Sequence, residues 1–309
     1  VRTEVSVYTR YIIFFAQLLQ LIATVQRKVG MFRKTWLIPG VILLGLLSSL
    51  LGGCTQSTTV KIKVATSTSL MEYIVQQVGG SHVEVFNMVP PNQHPGNFDI
   101  TPSAIENLAK AQLFLLHGWP GETYADKIIA AANNPALTVY KATVNGNWMI
   151  PSVQSEAVDK VLVALNQIDP ANSSAYQKNA DAYKSRIAAE ETNIKNRLAK
   201  AGVANISVIA SARQADFLQW AGFNVVASFN SPQELTPQKV QGLVDTGKTA
   251  GVTLVVNNLQ DGQDAGKGIA EELKAKNVNL SNFPGGFTNT GTWEKAIDYN
   301  VTLLTDAIK

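Results

Sequence analysis

The sequence predicts an α/β protein of two β/α lobes, each built on a parallel four-stranded sheet, joined by one long rigid helix. Three observations carry this. Short β-rich runs alternate with helical stretches, the pattern of parallel sheets covered on both faces. The same rhythm is played twice, over two stretches of similar size. Between them lies a segment with no glycine or proline after Pro170 and a single apolar stripe.

Taken in order, residues 60–65 read as the first strand and 70–78 as a helix, with 83–89 the second strand. Thr101-Pro102 opens a helix, threonine as N-cap and proline at the first helical position. Residues 113–116 form a third strand and 138–140 a fourth. From Asp169-Pro170 to about residue 200, Tyr176, Ala180, Tyr183, Ile187, Ile194 and Leu198 recur at spacings of three, four or seven. That is one buried stripe on a helix of roughly 45 Å, long enough to touch both lobes. A coiled-coil dimer seam is the competing explanation. Beyond it, 206–210, 224–228, 252–256 and 278–280 are strands. Helices are expected near 214–220, 236–246, 267–276 and 292–308, and Thr236-Pro237 repeats the Thr-Pro start. The expected division is a first lobe over 60–168, a connecting helix over 169–201 and a second lobe over 202–309.

The amino-terminal part is of another kind. Met31-Phe32-Arg33-Lys34 is a short basic start, 36–51 is apolar, and Leu51-Gly52-Gly53-Cys54 closes it, the parts of a secretory signal over 31–53. The closing run resembles a bacterial lipobox, which implies that Cys54, the only cysteine, carries lipid and begins the mature chain, with 54–59 a polar tether. An uncleaved anchor is the alternative, although the apolar run is short against the roughly 20 residues of a spanning helix. Residues 1–30 are read as upstream translation before a start at Met31; a second membrane segment over 11–25 is the other possibility.

Charge changes meaning with this division. Of the 26 basic residues six precede Cys54, and of the 23 acidic residues one does, leaving 20 basic and 22 acidic, a net of −2. No basic patch points to nucleic acid. No second cysteine offers a disulfide. There is no Gly-x-Ser-x-Gly elbow, Walker loop or suggestive carboxylate pair, so an enzyme is not expected.

Val89-Pro90-Pro91 followed by Phe98-Asp99-Ile100-Thr101-Pro102, the helix over 105–111 leading into Leu113 to Leu116 and Gly118, Trp148 with Pro151, Ile168-Asp169-Pro170-Ala171-Asn172 and Tyr299-Asn300 stand in a telling order. In that order they resemble the zinc- and manganese-binding lipoproteins of ABC importers, the cluster A-I receptors. The resemblance covers nearly all of the chain after Cys54. It implies a receptor held by its lipid at the outer face of the cytoplasmic membrane or in the periplasm. Such a receptor is monomeric, captures a metal, a metal chelate or a small organic solute, and delivers it to an ABC permease. A surface adhesin or sensor that has lost transport is the alternative.

The family's metal ligands do not carry over. Its two histidines fall on Gly96 and Gly146, its third ligand on about Ser211 or Ala212, and its last, an acid, near Asn282; none of these suits zinc or manganese. A relocated divalent-metal site is conceivable from His94, His117 and Asp99, against the plainer reading that Asp99 orders a turn and His117 is a bonded interior residue. His82 reads as a surface residue. The strand-end loops instead gather Trp119, Asn147, Trp148, Ser211, Arg213, Gln214, Asn257, Asn258, Asn282 and Phe283. Aromatics, amides and one guanidinium suit an organic or chelated ligand with anionic character. Packing, turn-forming and solvated roles are the plainer readings of these residues.

Overall fold

The structure, a computed structural model, describes residues 61–309 apart from Gly121 and Gln263. Cys54, the signal over 31–53, the residues before it and the tether at 54–59 lie outside the described residues. No described helix is long and apolar enough to cross a membrane.

The first sheet contains β1 (Ile62–Thr66), β2 (Val83–Asn87), β3 (Leu113–Leu116) and β4 (Thr138–Lys141). All run parallel in the order β2-β1-β3-β4. Helices α1 (Ser69–Gly79), α2 (Pro102–Ala109) and α3 (Tyr124–Ala132) connect them. All three have threonine at the N-cap, and two of them use its hydroxyl. The Thr68 hydroxyl accepts from Met71 N–H at 3.3 Å, and Thr101 from Ala104 N–H at 3.2 Å, satisfying donors the helix leaves free.

The second sheet repeats the plan with β5 (Ser207–Ser211), β6 (Asn224–Phe229), β7 (Leu254–Asn258) and β8 (Lys276–Leu280) in the order β6-β5-β7-β8, again parallel. Its helices are α6 (Ala212–Ala221), α7 (Pro237–Ala250), α8 (Lys267–Leu273) and the closing α9 (Trp293–Ala307). The expected helix over 267–276 ends early. Lys274 adopts a left-handed φ of 53°, and Lys276 already pairs with Leu254 as strand. Ladder bonds to a buried neighbour outweigh the helical propensity of the Glu-Lys-rich run.

Between the sheets come α4 (Pro151–Ile168) and α5 (Ser173–Ala201), the latter 29 residues without a break. The buried residues of α5 are Tyr176, Ala180, Tyr183, Ile187, Ile194 and Leu198, so the stripe read from the sequence is the face that packs. It lies against α1 and α4 at one end and α9 at the other. The Tyr183 hydroxyl accepts from Gln154 Nε2 at 2.9 Å, while Arg197 bonds Asp298 and, at 2.9 Å, Thr302. The stripe is consumed inside the chain's own core, which accounts for it without a coiled-coil partner.

Strand alternation sorts the core into three layers. Val64, Leu113 and Leu115 of the first sheet join Val208, Ala210, Leu254 and Val256 of the second in one continuous cluster with α5. Ala65, Phe114 and Leu116 pack under α2 and α3, and Ile209 and Val255 under α7 and α8. The central layer ties the sheets together, and their carboxyl ends face a common cleft.

Candidate functional site

In each sheet the chain leaves its first strand to one side and later crosses to the other. The point of reversal lies between β1 and β3 in one sheet and between β5 and β7 in the other, where open parallel sheets hold ligands. A cleft of about 540 Å³ sits there. Its lining comes from segments that follow strands: His94 after β2, Trp119 after β3, Asn147 and Trp148 after β4, Arg213 after β5, Asn258 at the end of β7 with Gln260 beyond it, and Asn282 and Phe283 after β8.

The amides form one network across the two sheets. Asn282 Oδ1 accepts from Asn147 Nδ2 at 2.9 Å and from Gln214 Nε2 at 3.0 Å. Gln214 Nε2 also donates to Asn258 Oδ1 at 3.0 Å, and Asn147 Nδ2 to the Arg213 carbonyl at 2.8 Å. Gln260 spans the cleft as well, donating to the Pro91 carbonyl at 2.8 Å while its Oε1 accepts from Asn282 N–H at 3.3 Å.

Charge enters through Arg213, which is paired with Asp261, and through the exposed acid Asp216, which also lines the cleft. Arg213 Nε donates to both oxygens of Asp261, at 2.9 and 3.0 Å, and Asn258 Nδ2 adds a third bond at 3.0 Å. Arg213 is therefore neutralised on one edge rather than a free cation. Among the described residues the bonds it makes to a carboxylate use Nε alone, leaving the Nη edge of its fork for a ligand. His94 Nε2 lies 4.0 Å from Asp261 Oδ1, and its Nδ1 accepts from Gly96 N–H at 2.9 Å. In the neutral ring that second bond places the proton on Nε2, the nitrogen on the side of Asp261. Burial, and then the Arg213 charge, hold its pKa below the usual 6.5 against the opposing pull of Asp261.

Behind the cleft wall His117 is fully buried. Its Nε2 meets Thr68 Oγ1 at 2.7 Å, Trp119 stacks on it at 3.7 Å and 13°, and Trp148 packs edge-on at 4.1 Å. Burial pushes its pKa down to about 3, so it stays neutral. The loop carrying Trp119 is held by Glu122, whose carboxylate accepts from the N–H groups of His117, Gly118 and Trp119 at 3.1, 2.6 and 3.2 Å. Burial raises the Glu122 pKa, opposed by those N–H bonds.

The residues singled out in the sequence thus separate. His94, Trp119, Asn147, Trp148, Arg213 and Asn282 line the cleft. Ser211 is buried and caps α6, its hydroxyl accepting from Arg213 N–H at 3.3 Å. Asp99 is exposed and outside the lining, and His117 lies behind Trp119, so the trio His94, Asp99 and His117 is not brought together. Among the described residues no three His, Cys, Asp or Glu side chains converge as a metal site. At Gly146 the backbone itself differs from what a histidine needs. Its φ is +99°, and a Cβ there would stand 3.3 Å from Val153 Cγ2. Sequence reasoning missed Gln260, Asp261 and Glu122; the Asp-Gly pair just past β7 was the one available signal for the acid.

The family model for ZnuA, the periplasmic component A of the zinc-uptake complex, matches residues 64–307. The iron-binding protein YfeA of Yersinia pestis is 24% identical over 237 residues, 71% of this chain and 76% of that protein. The manganese ABC transporter substrate-binding lipoprotein PsaA of Streptococcus pneumoniae is 22% identical over 230 residues, 66% and 74% of the respective chains. Among solved structures, the binding protein FpvC of Pseudomonas aeruginosa in complex with Ni²⁺ superposes with a TM-score of 0.69 at 21% identity, covering 80% of this chain and 97% of its own. A ZnuA crystal structure gives 0.68 at 19%, covering 81% and 100%.

Proposed function

The chain belongs to the ZnuA family of metal-uptake binding proteins, and from that premise we propose that it is an ABC-importer receptor whose cargo is a small organic or metal-chelating solute rather than a bare ion. Cys54 anchors it by lipid on the extracytoplasmic side, the solute is held between the two sheets, and a permease accepts it. The observation that carries the reading is the composition of the cleft. Its volume of about 540 Å³ is far larger than one ion needs, and it is lined by Trp119, Trp148 and Phe283 with the amides Asn147, Asn258, Gln260 and Asn282. Transition metals are held by imidazole, thiolate or carboxylate donors at about 2 Å. Here Nδ1 of the lining imidazole His94 is engaged by Gly96 N–H, Asp261 is bonded to Arg213, Asp216 is the one carboxylate in the described lining, and the amide oxygen of Asn282 already accepts two bonds.

Aromatic walls with a few placed polar groups are how proteins take organic ligands. The Nη edge of Arg213 suits a carboxylate or similar anion. Native mass spectrometry of the protein from its host tests the proposal. An organic mass bound to the chain supports it, and one bare divalent ion per chain overturns it.

A further inference from the structure

Asp216 is a cleft residue that the function proposed above leaves unused. It stands three positions after Arg213 on α6, so the two side chains leave one face of that helix with about 5–6 Å between their Cβ atoms. Both are exposed and both line the cleft, yet no ion pair joins them, because Arg213 Nε is taken by Asp261 at 2.9 and 3.0 Å. Among the described residues no hydrogen bond or ion pair engages the Asp216 carboxylate.

The rest of the described lining supplies no partner for it. There is no lysine and no second arginine, and burial and the Arg213 charge keep the one imidazole, His94, from protonating near neutral pH. The positive charge of Arg213 is already countered by Asp261, so the charge left over in the cleft is the negative one of Asp216. A solute bearing only an acid would meet the Nη edge of Arg213 and be repelled by Asp216 beside it. A solute bearing only an amine would leave that edge unused. One that carries both satisfies each group, its acid on the guanidinium fork and its amine on the carboxylate. Pro95, Trp119 and Pro120 offer apolar surface to the carbon frame between the two ends.

We infer that Arg213 and Asp216 form a paired subsite for a zwitterionic solute, an amino acid or a chelator built from amino acids. This rests on the organic-solute reading above and adds the class of solute. An acid that merely solvates its helix face would touch no ligand, and the experiment separates the two.

The test uses the full chain and three probes of matched size, γ-aminobutyrate, butyrate and butylamine. Ligand-observed NMR at millimolar concentration and low salt, where exposed charges are least screened, measures their affinities. γ-Aminobutyrate should bind about tenfold more tightly than either singly charged analogue, a modest factor because both side chains are exposed. Asp216→Asn should bring γ-aminobutyrate down to the level of butyrate, while butyrate itself gains from the lost repulsion. Arg213→Gln should bring γ-aminobutyrate down to the level of butylamine. Circular dichroism checks that each variant folds, and the exposed Asp216→Asn change keeps the test decisive if the Arg213 variant does not. Either analogue binding as tightly as γ-aminobutyrate, with Asp216→Asn changing neither, overturns the paired subsite and leaves the organic-solute reading standing. Binding of none of the three also overturns it, and if zinc alone then raises the melting midpoint, the organic-solute reading falls with it.

Discussion

His117 gives the most quantitative handle on this molecule. It is wholly buried among Trp119, Trp148 and Thr68, with its pKa pushed from the ordinary 6.5 to about 3 by burial. Above about pH 6.5 neither the folded nor the unfolded chain protonates it, and it adds no pH dependence. Below that, the unfolded chain takes up a proton that the folded one refuses, so stability falls as pH falls through the window from 6.5 to about 3. At about 1.36 kcal/mol per pH unit, His117 alone has removed about 2 kcal/mol by about pH 5. His117→Asn deletes the titrating group. At neutral pH it costs about 2–3 kcal/mol through lost ring contacts. That deficit should shrink by about 2 kcal/mol at about pH 5, because only the wild type is then paying for exclusion of the proton. Urea melts of both proteins at three pH values, followed by tryptophan fluorescence, measure it, since all other titrating groups are shared. A deficit that stays constant across the range refutes the buried neutral imidazole.

Two further outcomes follow from the cleft and the long helix. Asp261→Ala strips the acceptor from Arg213 Nε and Asn258 Nδ2; it should cost about 1–2 kcal/mol in denaturant, discounted because Arg213 is half exposed. It should also lower the His94 pKa further by removing the one group that raises it, and an unchanged His94 titration by NMR would contradict the geometry. Because α5 runs unbroken against helices packed on both sheets, ligand should change the radius of gyration by less than roughly 1 Å in small-angle scattering; a larger contraction would reveal a hinge the helix ought to forbid.

Much of the fold was legible because it rests on periodicity. The stripe from Tyr176 to Leu198 is the buried face of α5 residue for residue, and Thr101-Pro102 and Thr236-Pro237 are helix starts as their chemistry requires. What periodicity blurs is what was misplaced. Lys276 carries a helical-looking run yet pairs as strand, and α3 and α4 went unremarked although Pro151 stands at a helix start. The site was legible by position more than by bonding. Strand ends located Trp119, Asn147, Arg213 and Asn282, since a parallel sheet collects its loops at one edge. The pairing of Arg213 with Asp261, 48 residues on, is fixed by the adjacency of β5 and β7, which no local pattern announces. The proton position on His94 and the positive φ of Gly146 likewise exist only once the loops are folded.

The central claim is that a family built to hold an ion has, in this chain, a cleft made for a molecule. Native mass spectrometry of the protein purified from its host, with elemental analysis of the same sample, weighs that cargo directly. The account predicts a single adduct of organic mass, released on denaturation, with any metal present only as its chelate. A stoichiometric zinc or manganese ion with no organic companion would contradict it.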